Sequence, residues 1–94
     1  VHAAWQAVLD RHGLEKKSRI GYSIGAAYAP DWGEHTLSFR PNETALVPEN
    51  AVVHIILGMW MDGWGMELSE TLHVTDSGCT KMTDFPQHVH LVQP

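Results

Sequence analysis

Residues 51–74 read AVVHIILGMWMDGWGMELSETLHV, and the strand pairing they imply decides the fold. Residues 51–57 are apolar and β-branched and residues 66–74 alternate, as half-buried strands do. Between them Asp62-Gly63 is a two-residue hairpin signal, because the tight turn needs positive φ and glycine adopts it without steric cost. With that turn as the tip, Met61 faces Trp64, Met59 faces Met66, Gly58 faces Glu67, Ile56 faces Ser69 and His54 faces Thr71. Directly opposed residues share a sheet face. One face therefore carries His54, Ile56, Gly58, Glu67, Ser69, Thr71 and His73. The other carries Val53, Ile55, Leu57, Met66, Leu68, Leu72 and Val74 and is the expected core face. Glu70 falls on that apolar side, which is costly unless it is hydrogen-bonded or at an edge.

Upstream, residues 19–34, RIGYSIGAAYAPDWGE, show no clean period of two or 3.6. Gly21 and Gly25 suit close backbone approach or positive φ. Pro30 makes Ala29 extended and opens a turn through Asp31. Residues 19–24 are expected to form a short strand, and residues 36–39 a further turn or strand. Residues 1–12 predict a helix with Val1, Ala4, Trp5, Val8 and Leu9 on one face, ended by Gly13 as a left-handed cap. Turns are expected at residues 40–43 and 48–50, with a short strand at 44–47 between them. Residues 75–78 form a turn into a third strand at 79–82. Residues 84–94 read as a tail anchored by Phe85, Val89 and Leu91, with His88 and His90 as surface residues.

Ninety-four residues suffice for one small domain, and 44% hydrophobic with 18% charged residues argues for a folded chain. A net charge of −5 with no basic stripe argues against a nucleic-acid surface. The single cysteine, Cys79, permits no internal disulfide and fits a reducing compartment. No long apolar run or signal peptide is present, so no membrane partner is expected. The chain begins at Val1 without an initiator methionine, which leaves a targeting segment upstream open.

On the polar face of the hairpin, His54, Glu67 and Ser69 either line a cavity or are wetted by solvent. An imidazole, a carboxylate and a hydroxyl on adjacent strands can position a substrate and move a proton. A metal site reads poorly, since His54 and Glu67 alone do not make a coordination set. Cys79 has no basic partner in view, and GYSIG lacks the spacing and lysine of a phosphate-binding loop.

At GYSIG and at the hairpin the chain resembles the pita-bread family of methionine and Xaa-Pro aminopeptidases, creatinase and relatives. The family's G-H-G-I-G-L is similar to residues 21–26, GYSIGA. Its E-P-G is similar to Ile56-Leu57-Gly58, and its I-E-D before V-T-x-x-G to Leu68-Ser69-Glu70 before residues 74–78, VTDSG. The closing L-T-x-F-P resembles residues 82–86, MTDFP. The resemblance implies an α+β fold: the C-terminal portion of a pita-bread (creatinase/aminopeptidase-like) domain, an N-terminal helix followed by an antiparallel sheet, with residues 1–94 as a C-terminal fragment of one catalytic domain. In metal-dependent members the histidine and both glutamates of these motifs bind a dinuclear metal. Here those positions are Tyr22, Ile56 and Ser69, so the resemblance implies a lost metal site and no metal cofactor.

These substitutions, with the P-D-W-G-E segment and the tryptophan-rich turn, resemble the ectoine hydrolase branch. That likeness implies hydrolysis of a C–N bond in a cyclic amidine, a small-molecule substrate, a homodimer and a cytoplasmic location. Under it His54, Glu67 and Ser69 are the candidate catalytic residues. Tyr22, Asp31, Trp32, Glu34 and Trp60 are candidate substrate-binding residues, Glu67 pairing with the amidinium and Trp32 or Trp60 stacking on it. Two alternatives stay open: a metal-free pseudo-enzyme that binds a ligand or partner, and an Xaa-Pro aminopeptidase-like metallopeptidase with an altered metal site.

Overall fold

The computed structural model describes residues 1–94. One helix, α1 (His2–Asp10), precedes seven strands: β1 (Gly21–Ile24), β2 (Gly33–Ser38), β3 (Val52–Ile56), β4 (Met59–Met61), β5 (Trp64–Met66), β6 (Ser69–Thr75) and β7 (Gly78–Lys81). Five strands form an antiparallel sheet in the order β2-β1-β3-β6-β7, and β4-β5 form a separate two-stranded ribbon. No helix is long and apolar enough to cross a membrane.

The hairpin register expected from Asp62-Gly63 is the register observed. Met61 pairs with Trp64, Met59 with Met66, Ile56 with Ser69 and His54 with Thr71, and Gly63 has φ +82°. The two long strands are not continuous, however. Each breaks at residues 57–58 and 67–68, so the tip departs from the sheet as its own ribbon. Met66 consequently leaves the core face and is exposed. Lys16 holds the corner by donating from Nζ to the Gly58 carbonyl oxygen. The loop carrying Lys16 is in turn tied to α1, since Gln6 accepts from the Lys16 N–H at 3.1 Å and donates to the Leu14 carbonyl at 3.0 Å.

The core lies between α1 and one sheet face. Ile20, Phe39 and Val53 are buried together, with Trp5, Ile55, Leu57, Leu72 and Val74 packed against them. The predicted helix forms and Gly13 ends it with φ +65°, but its inward face is turned by about one residue. Val1 and Ala4 are exposed, whereas His2 and Leu9 are buried and Trp5 and Gln6 half-buried. His2 tolerates burial because its Nε2 lies 3.3 Å from the Ser18 carbonyl oxygen. Glu70 is 10% exposed at its side chain and is satisfied by the Thr71 N–H at 2.9 Å, Gln87 Nε2 at 3.1 Å and Lys81 Nζ at 3.6 Å.

Other local expectations are corrected. Residues 44–47 form no strand. The turn near Pro30 runs from Tyr28 to Asp31, closed by the Asp31 N–H on the Tyr28 carbonyl at 3.2 Å, with a cis Ala29–Pro30 bond inside it. Gly21 is a true close approach, since a Cβ there would stand 2.6 Å from the His54 carbonyl oxygen, but Gly25 would meet only ordinary contacts at 3.5 Å. Phe85, Val89 and Leu91 are exposed rather than anchoring. The tail is held instead by polar contacts, Lys81 Nζ to the Phe85 carbonyl at 3.2 Å and Gln87 to Glu70.

Candidate functional site

The sheet face opposite α1 carries one row of side chains across four strands. Ser38 pairs with Tyr22, Tyr22 with His54 and His54 with Thr71, so the four share a face. The Tyr22 and His54 rings are tilted at 55° with centroids 5.8 Å apart, and His54 Nδ1 lies 3.4 Å from Thr71 Oγ1. One step along, Ile56 stands opposite Ser69. The tail passes over this end of the sheet, and a cleft of about 390 Å³ forms among His54, Ser69, Thr71, Phe85, Gln87 and His88. The Glu70–Gln87 hydrogen bond fixes that outer wall.

A second cleft of about 250 Å³ lies across Tyr22 from the first, lined by Arg19, Tyr22, Asp31, Trp32, Ser38 and Arg40 among others. Trp32 Nε1 donates to Tyr22 Oη at 3.2 Å, and the Arg19 guanidinium sits 4.7 Å over the Tyr22 ring. Asp31 accepts from the Gly33 N–H at 3.1 Å and contacts His35 Nε2 at 2.7 Å. The His35 hydrogen bond, then that of Gly33, holds the Asp31 carboxyl below its ordinary range, with the Arg19 charge adding to the effect. His35 reaches Asp31 from a left-handed backbone conformation, φ +67°, which few residues other than glycine adopt, histidine among the more frequent of them. It belongs to a bulge, for between the pairs Tyr22–Ser38 and Ile24–Gly33 strand β2 carries extra residues.

The candidate residues thus fall into three places. His54 and Ser69 share the first cleft; Tyr22, Asp31 and Trp32 share the second, with Tyr22 also touching His54. Glu67 and Trp60 stand together over Gly58, where a Cβ would meet Glu67 Oε2 and Trp60 Cζ2 at 3.2 Å each. That places them on the ribbon corner rather than in the first cleft. Glu34 is turned to the opposite side of β1: it accepts from Thr36 Oγ1 at 2.9 Å, and Thr36 meets the buried Ser23 hydroxyl at 3.0 Å. The bulge causes this, because extra residues in β2 reset its alternation. Sequence reasoning missed His35, Arg19, Arg40 and the tail wall. His35 lies in the bulged part of β2 and Arg40 just beyond its end, and a bulge of this kind leaves no signal in local periodicity.

The profile of metallopeptidase family M24 matches residues 1–76. The chain belongs to this family. The M24 chain has one helix and an antiparallel sheet, the C-terminal part of a pita-bread domain. It is 38% identical over 84 residues to an ectoine hydrolase of Halomonas elongata, a match covering 88% of the chain and 21% of that protein. It is 35% identical over 89 residues to the uncharacterized hydrolase/peptidase y4tM of Sinorhizobium fredii, covering 95% of the chain and 23% of the relative. A second uncharacterized hydrolase/peptidase of that organism, y4tL, is 33% identical over 90 residues, covering 95% and 22%. The M24 chain therefore spans between a fifth and a quarter of the length of the curated relatives it matches.

A metal centre, implied by the family's description, does not fit the donors present in this M24 segment. The positions that resemble its ligands offer a phenol at Tyr22, a hydroxyl at Ser69 and no donor at Ile56, and no three His, Cys, Asp or Glu side chains are grouped to hold an ion. Hard divalent ions in such sites require carboxylate or imidazole ligands.

Proposed function

We propose that residues 1–94 are the C-terminal part of an M24 catalytic domain in a cytoplasmic, homodimeric hydrolase that opens the ring of ectoine or a closely related cyclic amidine without a metal. The observation that carries this reading is the paired loss at Ile56 and Ser69 beside the Tyr22–His54 contact. It leaves a hydrogen-bonding face where carboxylate ligands would stand, in a chain 38% identical to an ectoine hydrolase. In the proposed reaction water adds to the amidine carbon, one ring C–N bond breaks, and the departing nitrogen leaves as an amine after taking a proton. His54, with Nδ1 directed at Thr71 Oγ1, exchanges that proton from Nε2. Ser69 hydrogen-bonds the reacting centre, and Tyr22 and Trp32 bound the ring.

Glu67 is exposed and beside Trp60, where a carboxylate and an indole together can receive a cation. Glu67→Gln keeps the shape and removes the charge, so turnover of the cationic ring is expected to fall roughly tenfold, about 1.4 kcal/mol of barrier. Steady-state kinetics of the full-length variant, with circular dichroism as folding control, measures it; unchanged kinetics removes Glu67 from the site. Chelation gives the second check. Full-length protein assayed with ectoine is expected to keep its activity after exhaustive chelator dialysis, and elemental analysis to find no stoichiometric transition metal. Two metals per chain with activity abolished by chelator would sink the metal-free mechanism.

The apolar Ile56 at the centre of the face favours a second reading, a domain that binds such a ligand without turning it over. Binding of ectoine by calorimetry with no product by mass spectrometry would select it.

A further inference from the structure

We propose that His88, on the tail, is the second proton-transfer group of the His54 cleft and takes the proton from the attacking water. The assignment rests on the ring opening proposed above. Hydrolysis of an amidine moves two protons at different atoms: one leaves the water as its oxygen bonds to the amidine carbon, and one joins the nitrogen whose C–N bond breaks. His54 serves the departing nitrogen, so the water needs a base of its own. Of the side chains lining the cleft, only His54, His88 and Glu70 are of a kind that can act as a base near neutral pH. Glu70 is already occupied. Its side chain is 10% exposed, one oxygen accepts the Thr71 N–H at 2.9 Å, and the other accepts Gln87 Nε2 at 3.1 Å and meets Lys81 Nζ at 3.6 Å. His88 is the base that remains.

The tail is organised to hold this ring at the cleft. Apolar burial does not do it, since Phe85, Val89 and Leu91 are exposed. The Gln87–Glu70 hydrogen bond lies one residue before His88, so a nearly buried carboxylate on β6 fixes the backbone there. Lys81 Nζ donates to the Phe85 carbonyl at 3.2 Å and fixes it three residues earlier. The His88 ring rests against His90 with centroids 4.4 Å apart, and His90 lies 5.6 Å from the Phe85 ring, so three rings brace one another. The two imidazoles of the cleft differ as their roles require. His54 is half-buried, with Nδ1 3.4 Å from Thr71 Oγ1. His88 is exposed, where water reaches it and a proton taken up passes on to solvent. The cleft of about 390 Å³ has room for a small ring together with a water molecule. As the C–O bond forms, the water proton passes to His88. As the C–N bond breaks, the nitrogen takes its proton from His54. Both imidazoles then regain their starting states by exchange with solvent.

The test uses full-length protein assayed with ectoine, and three variants whose folding is checked by circular dichroism. His88→Gln is expected to lower kcat by about 100-fold with little change in KM. His88→Gly is expected to lose as much and to recover part of it when free imidazole is added, because imidazole can enter the vacated space and take the proton. His90→Phe keeps a ring against both His88 and Phe85 and is expected to stay within about twofold of wild type, since His90 braces the base and moves no proton. Should His88→Gly lose its native circular dichroism, imidazole rescue of His88→Ala provides the same comparison. Wild-type kcat in folded His88→Gln retires His88 and leaves the proposed reaction standing. A loss that imidazole does not restore, or an equal loss in His90→Phe, would assign the tail to packing and overturn the proton role. Wild-type protein that opens neither ectoine nor a related cyclic amidine retires the proposed reaction, and the role of His88 with it.

Discussion

Replacing His54 with glutamine in the full-length protein is expected to lower kcat for ring opening by about 100-fold, the lower range for loss of a general acid–base group. The expectation comes from position. His54 lies in the middle of β3, between Tyr22 on β1 and Thr71 on β6, so both neighbouring strands hold its backbone. Its ring is half-buried in the cleft it shares with Ser69. Glutamine retains a polar group able to meet Thr71 but cannot take up and release a proton near neutral pH. The loss should therefore appear in kcat with little change in KM. Thr71→Val, which removes the 3.4 Å partner of Nδ1, is expected to cost far less, since that contact orients the ring and does not move the proton. Wild-type kcat in folded His54→Gln would exclude His54 from the chemistry.

Replacing Gly21 with alanine is expected to destabilise the full-length protein by about 2–4 kcal/mol, at the upper end for a single added methyl group. A Cβ at Gly21 would lie 2.6 Å from the His54 carbonyl oxygen, 2.9 Å from Ile55 Cδ1 and 3.0 Å from Phe39 Cδ2. The first of these is backbone in the adjacent strand, and it cannot withdraw without opening the β1–β3 pairing. The same displacement would carry His54 and Tyr22 apart, so activity and stability should fall together. Gly25→Ala is the control, because its Cβ would meet Glu34 at an ordinary 3.5 Å and Gly25 is not among the positive-φ glycines. Urea midpoints of the two variants should differ clearly. Equal midpoints would mean that β1 moves freely against β3 and that the close approach does not hold the site.

The hairpin register was legible in the sequence because a two-residue turn leaves only one pairing. Once Asp62-Gly63 forms the tip, Ile56 must face Ser69 and His54 must face Thr71, and alternation gives Val53, Ile55 and Leu72 to the core. The same local logic gave the helix and its glycine cap, whereas the reading of Tyr22, Ile56 and Ser69 as altered ligand positions came from the family resemblance. Tertiary structure decided the rest. Lys16 meets the Gly58 carbonyl across 42 residues, at the corner where the ribbon leaves the sheet with Glu67 and Trp60. Extra residues in β2 turn Glu34 to the Ser23 side and bring His35 to Asp31 through a left-handed backbone. The tail that walls the His54 cleft is held by Glu70 and Lys81, not by the apolar residues that periodicity favours. Pairing across a tight turn is a local constraint written in adjacent residues. Bulges, strand breaks and side-chain clamps depend on groups that meet only after the strands have assembled.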